Sequence, residues 1–520
     1  MIAILSRRPG LAALLLGAAA ATGFAPFNLW PVALTALALW LMLVCAAPSV
    51  RAALWRGWLF GWAHLTLANM WIAQAFTYQD AMPHWLGAPA VALLCMYLAI
   101  YPMMAAGLAW RWGRRHGVAG APDLRFVLIA GAAWIVTEWL RGWALTGYPW
   151  PPLATIWVPV LGVAWSAAWV GTYALSGLTV MVAGALAMAL TGKWRPAAVV
   201  ATVVAALALS GVDIPVTAPT TDPAAPRLRV VQPNLDQEQR PRPDYAETNL
   251  RALLANSGTP GLAPRLILWP EGALRYLIED GYPPQYYAAG DPLVTRRRIA
   301  AVLGPRDIVL TGGNAVMFKP DGTIAAVTNS IFAIDAKGVI LSRYDKAHLV
   351  PWGEYLPWRP LLSMIGISRL VPGAFDFAPG PGPRTLPLPG FGSAGMLVCY
   401  EVIFSGEVVD RAHRPAFLFN PSNDSWYARF GPEQHLAMAR LRAIEEGLPI
   451  IRATPTGISA IVDANGRITA QVDWGKTGAA EAPLPAAHPP TWFAVGGNWI
   501  ALGLALLLAV LGVAIGRRAR

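Results

Sequence analysis

Charge is scarce in this chain. Only 13% of its 520 residues are Asp, Glu, Lys or Arg, against about a quarter in an ordinary soluble domain, while 56% are hydrophobic. That balance argues against a wholly soluble protein and for one with membrane spans. Cysteine is scarcer still: Cys45 and Cys95 lie in apolar runs, and Cys399 stands alone in the polar region. No Cys-x-x-Cys pair occurs, so neither a zinc knuckle nor a thioredoxin-type redox site is indicated. The seven histidines are scattered, without a His-Glu-x-x-His motif or a close pair, so no metal and no cofactor are expected. The net charge of +11 does not imply nucleic acid, because the polar region has no basic tract interleaved with aromatics.

What is abundant is apolar sequence in long runs. A bilayer-crossing helix needs about 20 mostly apolar residues. Spans are expected near 10–25, 28–47, 57–77, 87–110, 125–141, 162–191, 196–212 and 493–515. The first follows Arg7 and Arg8 and is short enough for a cleaved signal peptide, but a second run begins almost at once, which suits a retained hairpin. Alternate loops carry Arg7/Arg8, Arg51/Arg56, Arg111/Arg114/Arg115, Lys193/Arg195 and Arg517/Arg518/Arg520. Loops near 25–28 and 78–86 hold no Lys or Arg, and the loop at 142–161 is bare apart from Arg141 at its border. By the positive-inside rule both termini are cytoplasmic. Three parts follow: a seven-span bundle over 1–212, an extracytoplasmic domain over 213–490, and a last helix with its tail over 491–520. Several of the 24 tryptophans flank the runs (Trp30, Trp55, Trp58, Trp85, Trp150, Trp194, Trp492), where interfacial aromatics belong.

The polar region is bounded by Pro/Thr-rich linkers, Asp213 to Pro226 and Ala482 to Pro490. Short apolar runs between them read as strands: 228–231, 266–268, 308–310, 330–334, 396–398, 417–419 and 450–453. Helical patterns at 245–254 and 434–446 alternate with them. Continuous apolar strands alternating with helices predict a layered α/β domain with buried sheets.

Three islands in this region could do chemistry. The run Leu266-Ile-Leu-Trp-Pro-Glu271 is a strand ending in a carboxylate. A second island spans Tyr344 to Tyr355 (YDKAHLVPWGEY) and holds Lys346 and Glu354. In the third, Gly395-Met-Leu-Val-Cys399-Tyr400-Glu401, a strand ends in a thiol before an expected helix start. Reactive groups at strand ends sit on the rim of a rigid sheet, and a cysteine at a helix N-terminus is expected to lie closer to thiolate. Taken singly, each residue has a blander explanation. A lone cysteine after apolar residues is more often a small buried hydrophobe, Glu271 and Glu401 could serve helix starts, Lys346 could be a solvated cation, and Glu354 could pair with an arginine. Together they supply a nucleophile, a base for its proton and a cation for the oxyanion that attack creates, without histidine.

The order Glu271, Lys346, Cys399 resembles the nitrilase superfamily. The strings Tyr344–Tyr355, Val398–Glu401 (VCYE) and Asn423–Glu445 (NDSWYARFGPEQHLAMARLRAIE), with seven spans before the domain and one after, resemble its apolipoprotein N-acyltransferase branch over essentially the whole chain. Two departures are Gly272, where Thr is frequent, and Trp352, where Phe is frequent. The resemblance implies an α+β membrane protein of the bacterial inner membrane, an eight-helix bundle carrying a periplasmic αββα sandwich. It also implies a ping-pong acyl transfer from phospholipid, expected from sn-1 of phosphatidylethanolamine, through a Cys399 thioester to the α-amine of a diacylglyceryl-cysteine apolipoprotein. Glu271 is then the base and Lys346 the oxyanion cation, helped by the Tyr400 N–H. Glu354 orients Lys346 or the amine, and Glu401 holds the elbow or an acceptor group. The apolar segment Tyr355 to Ala378, with Trp358, is expected to touch lipid or to pack on the protein, as are Trp426 and Tyr427. Glu138 and Arg141, one helical turn apart, are expected to form a structural ion pair. The alternative activity is that of a membrane-tethered amidase or nitrilase-type hydrolase using the same three residues with water.

Overall fold

The computed structural model describes residues 7–78, 83–114, 121–209, 225–261, 263–364, 376–427 and 430–518. In the N-terminal part, helices α1 (Pro9–Ala21), α2 (Trp30–Cys45), α3 (Val50–Ala68), α4 (Gly87–Leu98), α5 (Ile100–Leu108), α6 (Leu124–Trp143), α7 (Ala167–Leu190) and α8 (Trp194–Leu209) stand where apolar runs were expected. The run expected to continue to residue 77 instead leaves the α-helix after Ala68 and forms a 3₁₀ stretch, Met70–Tyr78. Among the described residues, three stretches are long and apolar enough to cross a membrane: His84–Gly113, Ala167–Leu190 and Asn498–Arg517. Pro9–Ala21, Trp30–Cys45 and Trp194–Ala206 are apolar but shorter. Small residues let these helices approach closely. A Cβ at Gly17 would fall 2.2 Å from the Phe60 carbonyl oxygen, and one at Gly57 would fall 2.8 Å from that of Pro102.

The polar region folds into two six-stranded sheets. The first has the order β12 (Gly478–Pro483), β1 (Arg227–Gln232), β2 (Arg265–Leu268), β3 (Ile308–Phe318), β4 (Ile324–Asp335), β5 (Ile340–Asp345). The second runs β11 (Ile468–Val472), β10 (Ser459–Val462), β9 (Ile450–Ala453), β8 (Phe417–Pro421), β7 (Gly392–Met396), β6 (Thr385–Leu388). Each has three parallel central strands, β1-β2-β3 and β7-β8-β9, flanked by antiparallel ones. Alternation places Leu228, Leu266, Leu268, Leu310, Met396, Phe417, Phe419 and Ile451 in the core between the sheets. The intervening residues Ile267, Val309 and Phe332 face outward, onto α9 (Tyr245–Asn256) and α10 (Pro292–Ala300). Strands buried on both faces read as unbroken apolar runs, which is why the central ones were visible in sequence.

Helix α11 (Phe430–Glu446) covers the second sheet through Leu436, Met438, Ala439 and Ala443, completing an αββα sandwich. Its opposite face, Ala437, Leu441 and Ile444, packs into the core of the apolar helices. The sandwich therefore sits directly on the apolar helices. Arg442 and Glu445, both fully buried in this seam, pair at 2.9 Å, and Glu445 accepts the Thr172 N–H at 2.6 Å. The final helix α12 (Asn498–Arg518) returns alongside α6 and α7.

One boundary needs correction. Ala482 and Pro483, expected to open the second linker, are the end of β12 and pair with Leu228 and Arg227. Of the first linker, residues 213–224 lie outside those described. The Glu138–Arg141 pair is present at 3.6 Å and buried. Arg141 also donates to the carbonyls of Trp150 (3.1 Å) and Pro151 (3.0 Å), so it holds the loop on which the domain rests.

Candidate active site

The three islands converge at one rim of the sandwich. Parallel β2 ends at Leu268 and runs through buried Trp269 to Glu271; the next residue, Gly272, takes φ +57°, which glycine adopts without a Cβ penalty. The turn lies so close to β3 that a Cβ on Gly312 would come within 2.6 Å of the Pro270 oxygen and the Gly272 nitrogen. Strand β5 points the same way as β3 and delivers Lys346 just past its end. In the second sheet, Cys399 follows β7 by three residues.

Lys346 is 1% exposed. Its Nζ lies 2.9 Å from Glu354 Oε2 and 3.7 Å from Glu271 Oε1. Burial alone would lower its pKa, but Glu354 and Glu271 outweigh that and raise it, so the ammonium stays charged. Asn329 on β4 bridges the two carboxylates, its Nδ2 2.7 Å from Glu271 Oε1 and 3.0 Å from Glu354 Oε1. Glu354 Oε2 also accepts the Val350 N–H at 2.8 Å. The second oxygen of Glu271, Oε2, is buried and takes no hydrogen bond among the described residues.

Cys399 is buried and adopts φ +51°, at the start of a five-residue 3₁₀ turn, Cys399–Ile403. This corrects one expectation. The turn is too short to act as a helix dipole, and the thiol is not drawn toward thiolate. Burial pushes its pKa up and the Glu271 charge pushes the same way, with Lys346 and the Asn423 N–H offsetting only part. A buried thiol beside a carboxylate rests protonated and needs a base.

Glu401 does structural work on both sides of the lysine. Its Oε1 accepts from the Tyr344 hydroxyl (2.8 Å) and from the N–H groups of Ala347 (2.8 Å) and His348 (3.0 Å), while Oε2 accepts from Val398 N–H (2.6 Å). One carboxylate thus ties the Lys346 segment to the Cys399 elbow. The Tyr400 side chain leaves the cluster, its hydroxyl donating to the Gly147 carbonyl at 3.1 Å.

The aromatic candidates divide. Tyr427 places its hydroxyl 3.6 Å from Cys399 Sγ and packs edge-on against Trp71 and Trp150, so it belongs to the cluster's wall. Trp426 meets Tyr78 edge-on. Trp358 is 61% exposed at φ +46°, followed by exposed Leu361 and Met364. Residues 365–375 of that segment, including Ile365, Ile367, Leu370, Val371 and Phe375, lie outside the described residues.

Sequence reading missed Asn329, whose signal is the polar triplet Thr328-Asn329-Ser330 inside a buried strand. It also missed the buried group behind Cys399. The Cys399 carbonyl accepts from Asn420 Nδ2 (3.4 Å) and faces His435 Nε2 (3.2 Å); Asp424 and Arg452 complete the group.

Comparison with known proteins follows this division. Residues 16–185 match the family model described as the apolipoprotein N-acyltransferase N-terminal domain, and residues 227–488 match carbon-nitrogen hydrolase. An apolipoprotein N-acyltransferase of Rhodopseudomonas palustris is 34% identical over 522 residues, covering 96% of this chain and 94% of the relative. One from Bradyrhizobium diazoefficiens is 34% identical over 524 residues, with the same coverage, 96% and 94%. Among solved structures, an amidase from Nesterenkonia sp. is similar at 17% identity and a TM-score of 0.35, covering 51% of this chain and 93% of that one.

Proposed function

The chain belongs to the apolipoprotein N-acyltransferase family, and from that premise we propose that it acylates lipoproteins by a two-step transfer through Cys399. Glu271, through Oε2, which takes no hydrogen bond among the described residues, takes the thiol proton. The sulfur attacks the sn-1 ester carbonyl of a phospholipid, phosphatidylethanolamine being the expected donor. Lys346 Nζ and the Tyr400 N–H bind the oxyanion. As the tetrahedral adduct collapses, Glu271 returns the proton to the departing glycerol oxygen, releasing lysophospholipid and leaving a thioester. The α-amine of a diacylglyceryl-cysteine lipoprotein then attacks that thioester. Glu271 accepts the amine's proton and passes it to the sulfur that leaves, which restores the resting thiol.

The observation that carries this reading is the convergence of Glu271, Lys346 and Cys399 in one buried cluster, with Glu354 and Asn329 fixing the charges. Its placement supports a lipid donor. Tyr427, at the thiol, packs on Trp71 and Trp150 of the apolar helical half. In this reading the helical stretches together span the inner membrane of a bacterium, the sandwich lies on the periplasmic side, and both termini are cytoplasmic. The arginine-bearing loops and the lipid-type surface of α12, with Trp499, Leu506, Leu507 and Val510 exposed, support that arrangement. Exposed Trp358, Leu361 and Met364 are the part of the apolar arm that would meet lipid.

The test is to incubate the full chain in detergent with phosphatidylethanolamine labelled in its sn-1 acyl chain, without acceptor. An alkali-labile acyl group on Cys399, discharged when a diacylglyceryl-cysteine peptide is added, is the expected result. No adduct under conditions that support turnover would contradict the two-step route.

A further inference from the structure

We propose that His435 is a positioning residue for the oxyanion-binding peptide: its Nε2–H, with the Asn420 amide, holds the Cys399 carbonyl and thereby aims the Tyr400 N–H. This rests on the reading of Cys399 as the nucleophile. A trans peptide points its C=O and N–H in opposite directions, so fixing one fixes the other. The Cys399–Tyr400 peptide needs such fixing, because Cys399 is a non-glycine residue at φ +51°, a conformation that persists only where its surroundings impose it.

The surroundings impose it through a single guanidinium. Arg452 is fully buried, and its NH1 donates to Asn420 Oδ1 at 2.6 Å, which turns the Asn420 NH₂ toward the Cys399 carbonyl, 3.4 Å away. Its NH2 reaches Asp424 Oδ1 at 2.6 Å and His435 Nδ1 at 2.9 Å. A carbonyl has no proton to give, so the ring nitrogen facing Cys399 O at 3.2 Å carries the hydrogen. Burial and the Arg452 charge lower the His435 pKa to about 4, so the ring is neutral at physiological pH and Nδ1 is left bare to accept from Arg452. The 3.0 Å approach of Nδ1 to Asp424 Oδ1 is then two acceptors bridged by one cation. Trp150, from the loop that Arg141 holds, packs on the imidazole with ring centroids 4.9 Å apart. The apolar half thus supports the elbow from behind, through the same ring that orients it.

The experiment compares His435→Phe and His435→Gln in the full chain by two reactions of Cys399. One is single-turnover acylation by labelled phospholipid, which passes through an oxyanion. The other is alkylation by iodoacetamide, a displacement that forms none. His435→Phe should acylate about 10- to 100-fold more slowly, less than the roughly 100- to 1000-fold of losing an oxyanion donor outright because the Tyr400 N–H is misaimed and not removed, with unchanged KM for phospholipid and an unchanged alkylation rate. His435→Gln, which keeps an N–H within reach of the carbonyl, should recover most of the acylation rate. Wild-type acylation by His435→Phe would overturn the proposal. So would a parallel loss of both reactions that Gln does not rescue, since that is general damage to the elbow. If the wild-type chain forms no thioester at all, the underlying reading of Cys399 fails instead.

Discussion

Lys346 is held more closely by Glu354, at 2.9 Å, than by the proposed base, and this pairing lets the lysine remain a cation while the base exchanges protons. Glu354→Gln keeps a hydrogen-bonding oxygen beside Nζ but removes the charge. It should lower acyl transfer about 10- to 100-fold, with Cys399 acylation the affected step. Lys346→Arg should not restore activity, because a planar guanidinium cannot take the compact position of an ammonium between two carboxylates. Rapid-quench measurement of thioester formation checks both.

Glu271 raises the Cys399 pKa by its charge, so Glu271→Gln separates thiol availability from catalysis. Acyl transfer should fall by about 10²- to 10⁴-fold, the usual contribution of a general base. Alkylation of Cys399 by iodoacetamide should be no slower than in the unaltered protein. A variant that transfers acyl groups normally would remove Glu271 from the mechanism.

The group behind the elbow makes stability depend on pH. His435 is depressed to about 4 by burial and Arg452, and Asp424 is held below the ordinary carboxylate range because the Arg452 charge outweighs its burial. Both are proton-poor in the fold relative to the unfolded chain. The His435 contribution, about 3 kcal/mol at most, is therefore complete above the unfolded imidazole pKa of about 6.5 and is lost as pH falls toward 4, whereas that of Asp424 is lost only below the unfolded carboxylate pKa of about 3.9. Thermal unfolding in detergent should show a lower apparent Tm at pH 4.5 than at pH 7. The difference should shrink in His435→Gln.

Arg141 is buried, paired with Glu138, and supports three carbonyls of the loop at Pro149–Pro151. Arg141→Met leaves the Glu138 carboxylate without its countercharge and those carbonyls without their donor, and should cost about 3–5 kcal/mol. Adding Glu138→Gln should recover part of that loss. Denaturant unfolding of the single and double variants measures the difference.

Orientation can be read with an impermeant maleimide, since Cys45, Cys95 and Cys399 are all buried. A cysteine at Lys337, exposed after β4, should react in spheroplasts, and one at Arg517 should react only after permeabilisation. The reverse pattern would place the sandwich in the cytoplasm.

Much of this architecture was legible because central parallel strands are buried on both faces. Residues 266–268, 417–419 and 450–453 have no solvent face to carry polar residues. Of the flanking antiparallel strands, β4 was read at 330–334, but β5, β6, β10, β11 and β12 were not legible. Strand β12, Gly-Ala-Ala-Glu-Ala-Pro, reads as a linker, and β6 contains Pro387, which an outermost strand tolerates. Of the site, the three reactive residues end apolar strands or sit in distinctive strings. Asn329, Asn420, His435 and Arg452 come from four separate elements, and each alone looks like an ordinary polar residue. Only the fold shows that their partners are buried. The thiol's protonation was misread because a strand followed by Cys-Tyr-Glu suggested an α-helix, whereas the Glu401 side chain turns back to the Val398 N–H and the turn stays short.

The most direct test of the account is acyl transfer by Cys399→Ser, purified intact and inserted, from labelled phospholipid to a diacylglyceryl-cysteine peptide. A hydroxyl replaces the thiol with little change in volume, so the fold and the Glu271–Lys346–Glu354 charges should persist. Transfer should be abolished, with no acyl adduct at residue 399. Retention of transfer by this variant would contradict the account.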